Sequence, residues 1–179
     1  SPQEHQVSAG HLTQALAQAA ARRGAVVRQG VAVTGLLTNG RRVTGVRTPS
    51  GKVSGGQVVL AAGPWTGAFA RRLGVPLPVR PVRGQMLAYA DFALPLRHIV
   101  WGEAAYLVPK ANGFLFVGAT VEDVGFRSNT TVRGQRELQR GARDLVPSLA
   151  HGEIASSWAA LRPGSPDGLP LLGPVPGWE

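Results

Sequence analysis

Cysteine is absent from this chain, which removes disulfides, thiolate nucleophiles and the commonest zinc sites together. Aromatic residues make up only 6% of it, methionine occurs once, and 10 acidic residues face 19 basic ones. No apolar run approaches the roughly 20 residues that a membrane helix needs. The opening "SPQEHQVSAG" lacks the basic and apolar segments of a secretory signal. These absences lead to the expectation of a cytoplasmic protein with no membrane partner.

The usual catalytic constellations are missing as well. His5, His11, His98 and His151 are scattered without metal-ligand spacing, so no metal site is expected. There is no phosphate-binding Walker loop and no Gly-x-Ser-x-Gly nucleophile elbow. Glu122 and Asp123 are adjacent, so on a strand or turn they point apart, and they read as a solvated loop. An enzyme this poor in acid–base groups needs a cofactor to carry the difficult step.

What is present describes a globular chain. It has 179 residues, 44% of them hydrophobic, enough for one ordinary domain or two small lobes. The net charge of +9 invites a nucleic-acid reading. The arginines, however, are dispersed as Arg22-Arg23, Arg41-Arg42 and Arg71-Arg72, and only Arg133, Arg136, Arg140 and Arg143 share a helical face. No RNA-binding aromatic motif, zinc finger or basic tail accompanies them, so no nucleic-acid partner is expected.

Hydrophobic periodicity lays out a mixed α and β (α+β) fold. Ser8 caps a helix with Leu12, Leu16, Ala19 and Ala20 as its apolar stripe, and Gly24 stops it. A strand over 31–37, the hairpin signal Asn39-Gly40 and a return strand over 42–48 make a small meander. It feeds "QVVLAA" (57–62), which reads as a fully buried central strand. A helix over 66–73 follows, with Phe69 and Leu73 inward and Gly74 at its end. "VPLPVRPVRG" (75–84) carries three prolines, so it reads as neither helix nor central strand. Strands are predicted at 85–89, 99–108 and 114–119. A helix over 131–146 with Leu138, Ala142 and Leu145 buried precedes a last strand over 154–161 that ends at Arg162.

Three features invite chemistry. In "VVLAAGPWTG" (58–67) small residues close a strand and turn into a helix, a place where a planar ligand reaches the backbone; an ordinary strand-to-helix turn looks the same. Tyr106 shares a strand face with Val108 while Leu107 takes the other; it reads as a core tyrosine or as a hydroxyl aimed at a ligand. Arg162, with no acid near it in sequence, reads as a surface charge, half of an ion pair, or a fork for a carboxylate.

Five blocks in order, "VVLAAGPWTG", "PVRPVRGQML", "YLVPKANGFLFVGATVEDVGF", "LVPSLA" and "WAALRPGSPDGLPLLGPVPG", resemble the D-amino-acid-oxidase-like family of FAD-dependent oxidoreductases, its glycine oxidase branch most of all. The resemblance covers essentially the whole chain. It implies FAD as cofactor and a small amino acid or amine as substrate, oxidised to the imino acid while O2 becomes H2O2. Sarcosine oxidation, or dehydrogenation of D-amino acids with another electron acceptor, belongs to the same resemblance; a cofactor-free binding module on the same fold is the reading from another class. Arg162 matches the family's arginine on the substrate carboxylate, and Tyr106 the tyrosine hydroxyl on that carboxylate. Ala61, Ala62, Gly63 and Trp65 match the strand end against the cofactor, and Val31, at the start of its strand, a position near the adenine. Gly84 and Gln85 match a strand close to the substrate.

The resemblance further implies a division into part of an FAD-binding domain (1–74, meander and strand), a substrate domain with an antiparallel-rich mixed sheet (75–161), and a return to the FAD-binding domain (162–179). The family's Gly-x-Gly-x-x-Gly unit and its closing glycine-rich segment have no counterpart here, which reads as an internal piece that alone would be inactive and would not retain FAD. Homo-oligomerisation is compatible with the resemblance. One departure stands out: the family commonly has Trp-x-Gly before Leu-Arg-Pro, whereas this chain has Trp158-Ala159-Ala160.

Overall fold

The computed structural model describes residues 5–90 and 96–179. It resolves into two compact units, Leu60–Gly173 and the described residues up to Val59 together with Pro174–Glu179. Among the described residues no helix is long and apolar enough to cross a membrane.

The second unit opens on α1 (Ala9–Arg22), flanked by Ser8 in extended backbone. Gly24 ends the helix as expected: it sits at φ +92, and the next amide, that of Ala25, turns back onto the Ala20 carbonyl at 3.1 Å. An antiparallel meander follows, β1 (Gly35–Asn39), β2 (Arg42–Thr48) and β3 (Gly51–Ser54). Asn39 pairs with Arg42, so the two-residue loop is Gly40-Arg41, one position later than expected. Farther from the loop a bulge interrupts the ladder between Leu37 and Thr38. The expected strand over 31–37 begins only at Gly35. The last residues return to this unit: the Glu179 amide bonds the Arg41 carbonyl and Val43 bonds the Glu179 carbonyl, at 3.0 and 3.2 Å.

The expected central strand over 57–62 is not formed. Val59 is 87% exposed, and no ladder pairs this stretch among the described residues. Its apolar run alone does not make a strand, because a buried strand exists only where others flank it.

The first unit holds a five-stranded antiparallel sheet in the order β5-β6-β7-β4-β8. Its members are β4 (Arg80–Tyr89), β5 (Val100–Trp101), β6 (Tyr106–Pro109), β7 (Leu115–Gly118) and β8 (Ile154–Gly164). Two expectations are corrected here. The 99–108 stretch is two strands, because the chain reverses between them and the Gly102 amide bonds the Ala105 carbonyl at 2.9 Å. The proline-rich 75–84 segment does contribute a strand from Arg80 onward, flanked by β7 and β8. Proline is tolerated there by register. The amides of Arg83 and Gln85 point away from β8, toward Glu122 and Thr120. Pro81, two residues earlier, therefore lies opposite Pro163 at a pair that exchanges no N–H bonds.

One face of this sheet is covered by α3 (Val132–Leu145), whose N-cap Thr131 accepts the Gly134 amide through its side chain. Leu87, Leu107, Leu115, Val117, Leu138, Ala142 and Leu149 form the core between them. Gly141 lets helix and sheet approach: a Cβ there would stand 2.8 Å from the Ala105 methyl. Pro147 ends α3 and opens a short 3-10 turn carrying the buried Leu149. The other connection in this unit, a 3-10 turn at Gly63–Trp65 leading into α2 (Thr66–Arg72), touches both β8 and β4.

Candidate substrate face

The second face of the five-stranded sheet carries the candidate site, and pairing decides its membership. Leu107 faces Val117 across β6 and β7, and Leu87 faces Val117 across β4, so these belong to the α3 side. Their sequence neighbours fall on the opposite side. Tyr106 pairs with Gly118 there, Phe116 with Ala88, Met86 with Trp158, Gly84 with Ala160 and Val82 with Arg162. Tyr106 and Arg162, 56 positions apart in sequence, thus stand on one sheet face.

Each of them lies on a glycine. A Cβ on Gly118 would meet the Tyr106 hydroxyl at 2.5 Å and the Met86 methyl at 3.0 Å. A Cβ on Gly84 would collide with the Arg162 guanidinium. Aromatic rings frame the same face: Trp101 tilts against Tyr106 at 4.8 Å between centroids, and Phe116 meets Trp158 edge-on at 5.0 Å. Arg162 donates one bond through Nη1 to the Thr120 carbonyl at 3.2 Å. Among the described residues no carboxylate pairs with it. A planar cation held at one end by a carbonyl, with the rest of its fork free, is suited to a carboxylate ligand. Arg162 lies within β8 rather than at its end, as the strand continues to Gly164.

Glu122 and Asp123 point apart, as expected, but Glu122 is no solvated loop residue. Its carboxylate meets Arg83 Nη2 at 2.5 Å and accepts from Gln85 Nε2 at 2.7 Å and Thr120 Oγ1 at 2.5 Å. The bond from Arg83, helped by those from Thr120 and Gln85, lowers its pKa to about 2 against the opposing effect of burial. Asp123 pairs instead with the exposed Arg80. Gln85, matched above to the substrate side, lies on the α3 side: its Oε1 accepts the Thr131 amide at 2.7 Å and its Nε2 donates to Thr131 Oγ1 at 2.9 Å. Apart from the Thr120–Glu122 bond, two positions apart, these pairs are separated by 35 to 46 positions, so little in the local sequence announces the network.

The cofactor-matched residues are distributed between the two units. Gly63 sits at φ +52, and nothing lies within 4 Å of where its Cβ would be. Ala61 is exposed and Ala62 half-buried beside it. A flat group can therefore approach the backbone of this turn, and the residues present leave room for a flavin nucleotide there, without the strand expected to lead into them. Trp65 is stacked on Phe126 at 5.8 Å between centroids. Val31 precedes its strand instead of starting it, and belongs to the other unit.

The arginine and the tyrosine thus share one sheet face, and the open glycine turn lies in the same unit. The model of the FAD-dependent oxidoreductase family matches residues 1–179, and the chain belongs to that family. It is 43% identical over 147 residues to glycine oxidase of Pseudomonas aeruginosa, covering 82% of this chain and 40% of that protein. It is 39% identical over 178 residues to the hydrogen cyanide synthase subunit HcnC of Pseudomonas protegens, covering 98% and 43% respectively. The crystal structure of glycine oxidase from Geobacillus kaustophilus superposes with a TM-score of 0.88 at 33% identity, over 96% of this chain and 46% of the other. The chain thus spans less than half the length of these relatives.

Proposed function

We propose that the protein carrying this chain oxidises glycine or a similarly small amino acid to its imino acid and passes the electrons to O2. Tyr106 and Arg162 hold the substrate carboxylate. The observation that carries this reading is their placement on one sheet face, with the Arg162 fork free of any carboxylate partner among the described residues. Bound FAD supplies the acceptor for the hydride that leaves the substrate Cα. The chain's own task is orientation: two fixed contacts on the carboxylate leave the amino group and Cα–H little freedom, which is how positioning lowers a barrier. Trp101, Phe116 and Trp158 add aromatic surface to the same face.

Ala160 lies on this face beside Arg162, opposite Gly84. Its methyl occupies space where the family's usual glycine has none, which favours the smallest substrates. The segments 1–74 and 162–179 are assigned to the FAD-binding domain and 75–161 to the substrate domain; the bond from Arg41 Nε to the Gly177 carbonyl and that from the Glu179 amide to the Arg41 carbonyl support the return. A cytoplasmic location belongs to the same proposal.

A substrate panel on the FAD-loaded protein from its natural gene, with peroxide detection, tests the reading. Peroxide with glycine is expected; oxidation without peroxide would assign a dehydrogenase. Arg162→Ala is expected to raise KM at least tenfold, since a bond to a charged group contributes about 1.5–3 kcal/mol. Unchanged kinetics would remove Arg162 from the site.

A further inference from the structure

We propose that Thr120 is a positioning residue for Arg162: its side-chain hydroxyl takes over the sheet bond that its own carbonyl would otherwise make, and so frees that carbonyl to hold the guanidinium. This rests on the reading of Arg162 as the carboxylate clamp.

The argument begins with register. β7 pairs with β4 through Leu87–Val117 and Ala88–Phe116. Beyond Gly118 the pairing slips by one, so that Arg83 faces Glu122. Arg83 and Glu122 exchange both backbone bonds, each at 2.9 Å. In an antiparallel ladder such pairs recur at every second residue, so Gln85 and Thr120 should exchange two bonds as well. Only one is made: the Thr120 amide donates to the Gln85 carbonyl at 3.3 Å. The Gln85 amide donates to Thr120 Oγ1 at 2.9 Å instead of to the Thr120 carbonyl. That carbonyl accepts Arg162 Nη1.

Glu122 sets the direction of the hydroxyl. A hydroxyl has one proton to give, and Thr120 gives it to Glu122 Oε1 at 2.5 Å, which turns a lone pair toward the Gln85 amide. Glu122 is itself fixed by Arg83 and Gln85, and Gln85 by the cap of α3 at Thr131. The buried polar cluster on the helix side of the sheet thereby reaches across to the substrate side through one residue.

The test uses the FAD-loaded protein from its natural gene, with acetate as an unreactive carboxylate and glycine as substrate. Acetate binding is read from tryptophan fluorescence, since Trp101 and Trp158 share the face. Thr120→Val keeps the shape and removes the hydroxyl. It is expected to return the carbonyl to Gln85, weakening acetate and raising the glycine KM about tenfold, the scale of one hydrogen bond to a charged group, with kcat within about twofold. Thr120→Ser keeps the hydroxyl and is expected to bind acetate as the parent does. Unchanged acetate binding in Thr120→Val, beside a clear loss in Arg162→Ala, would overturn the role of Thr120 and leave the clamp standing. Equal loss in the serine variant would overturn it too. No loss in Arg162→Ala would overturn the clamp and this inference with it. Should Thr120→Val fail to fold, an acetate-bound crystal structure of the unmodified protein decides: Gln85 N on Thr120 Oγ1 sustains the proposal, and Gln85 N on the Thr120 carbonyl refutes it.

Discussion

Gly118→Ala adds one methyl group beneath Tyr106, and its consequence follows from the distances. The new Cβ would stand 2.5 Å from the Tyr106 hydroxyl and ring carbon Cζ, and 3.0 Å from the Met86 methyl. Carbon atoms settle at about 3.5–4.0 Å, so the ring must retreat by about 1 Å. It cannot do so freely, because Trp101 lies against its other surroundings at 4.8 Å. Overpacking of this kind destabilises by about 1–3 kcal/mol, and a displacement of about 1 Å in a positioned group lowers turnover by on the order of a hundredfold. The assay is kcat/KM on the best substrate of the panel, alongside a thermal melt. A double-mutant cycle with Tyr106→Ala isolates the cause: removing the ring should return the stability that Gly118→Ala loses, without restoring activity. Kinetics of Gly118→Ala within twofold of the parent would refute the placement of Tyr106 on this glycine.

The Glu122 carboxylate contributes to stability above its ordinary pKa of 4.5 and loses that contribution as pH falls toward about 2. The folded-state pKa is the depressed one, so stability must fall with acid, by on the order of 3 kcal/mol across that window. Denaturant titrations at pH 5 and pH 2 should show the difference, and Glu122→Gln should flatten it. Asp123→Asn is the internal control: its partner Arg80 is 55% exposed and Asp123 69%, so the change should stay below about 1 kcal/mol. Leu138→Ala, at a fully buried position of α3, should destabilise the protein by about 2–5 kcal/mol in the same titrations.

The helices and two of the hairpins, β1–β2 and β6–β7, were legible because their signals are local; β3 and the β5–β6 hairpin were not. Ser8 with Gly24, and Thr131 with Pro147, bracket α1 and α3 within a residue of where periodicity puts them. Strand assignments failed where partners decide the outcome. "QVVLAA" is as apolar as any buried strand, yet without a paired neighbour it makes none. The reverse error occurred at Pro81: proline argues against a central strand by its missing donor, and nothing local reveals that its nitrogen points toward the unpaired side. The split of 99–108 was marked by Gly102, a residue easily passed over inside an apolar run.

The site divides along the same line, and the reason is parity. Alternation placed Tyr106 and Val108 opposite Leu107 before any partner was known, because a period of two needs no tertiary information. Arg162 required register: its face follows from Val82 and Gly84 on the neighbouring strand, not from its own sequence. Gln85 shows how narrow the margin is. It is one residue from Gly84, and that single step carries it from the substrate face to the cap of α3. The one-residue slip after Gly118 does the same for Thr120 and Glu122, moving both side chains behind the sheet while the Thr120 carbonyl still reaches Arg162. A bulge of one residue thus decides whether the "GATVE" segment lines the substrate face with its side chains or supports it from behind, and the bonds made by Thr120 show that it supports.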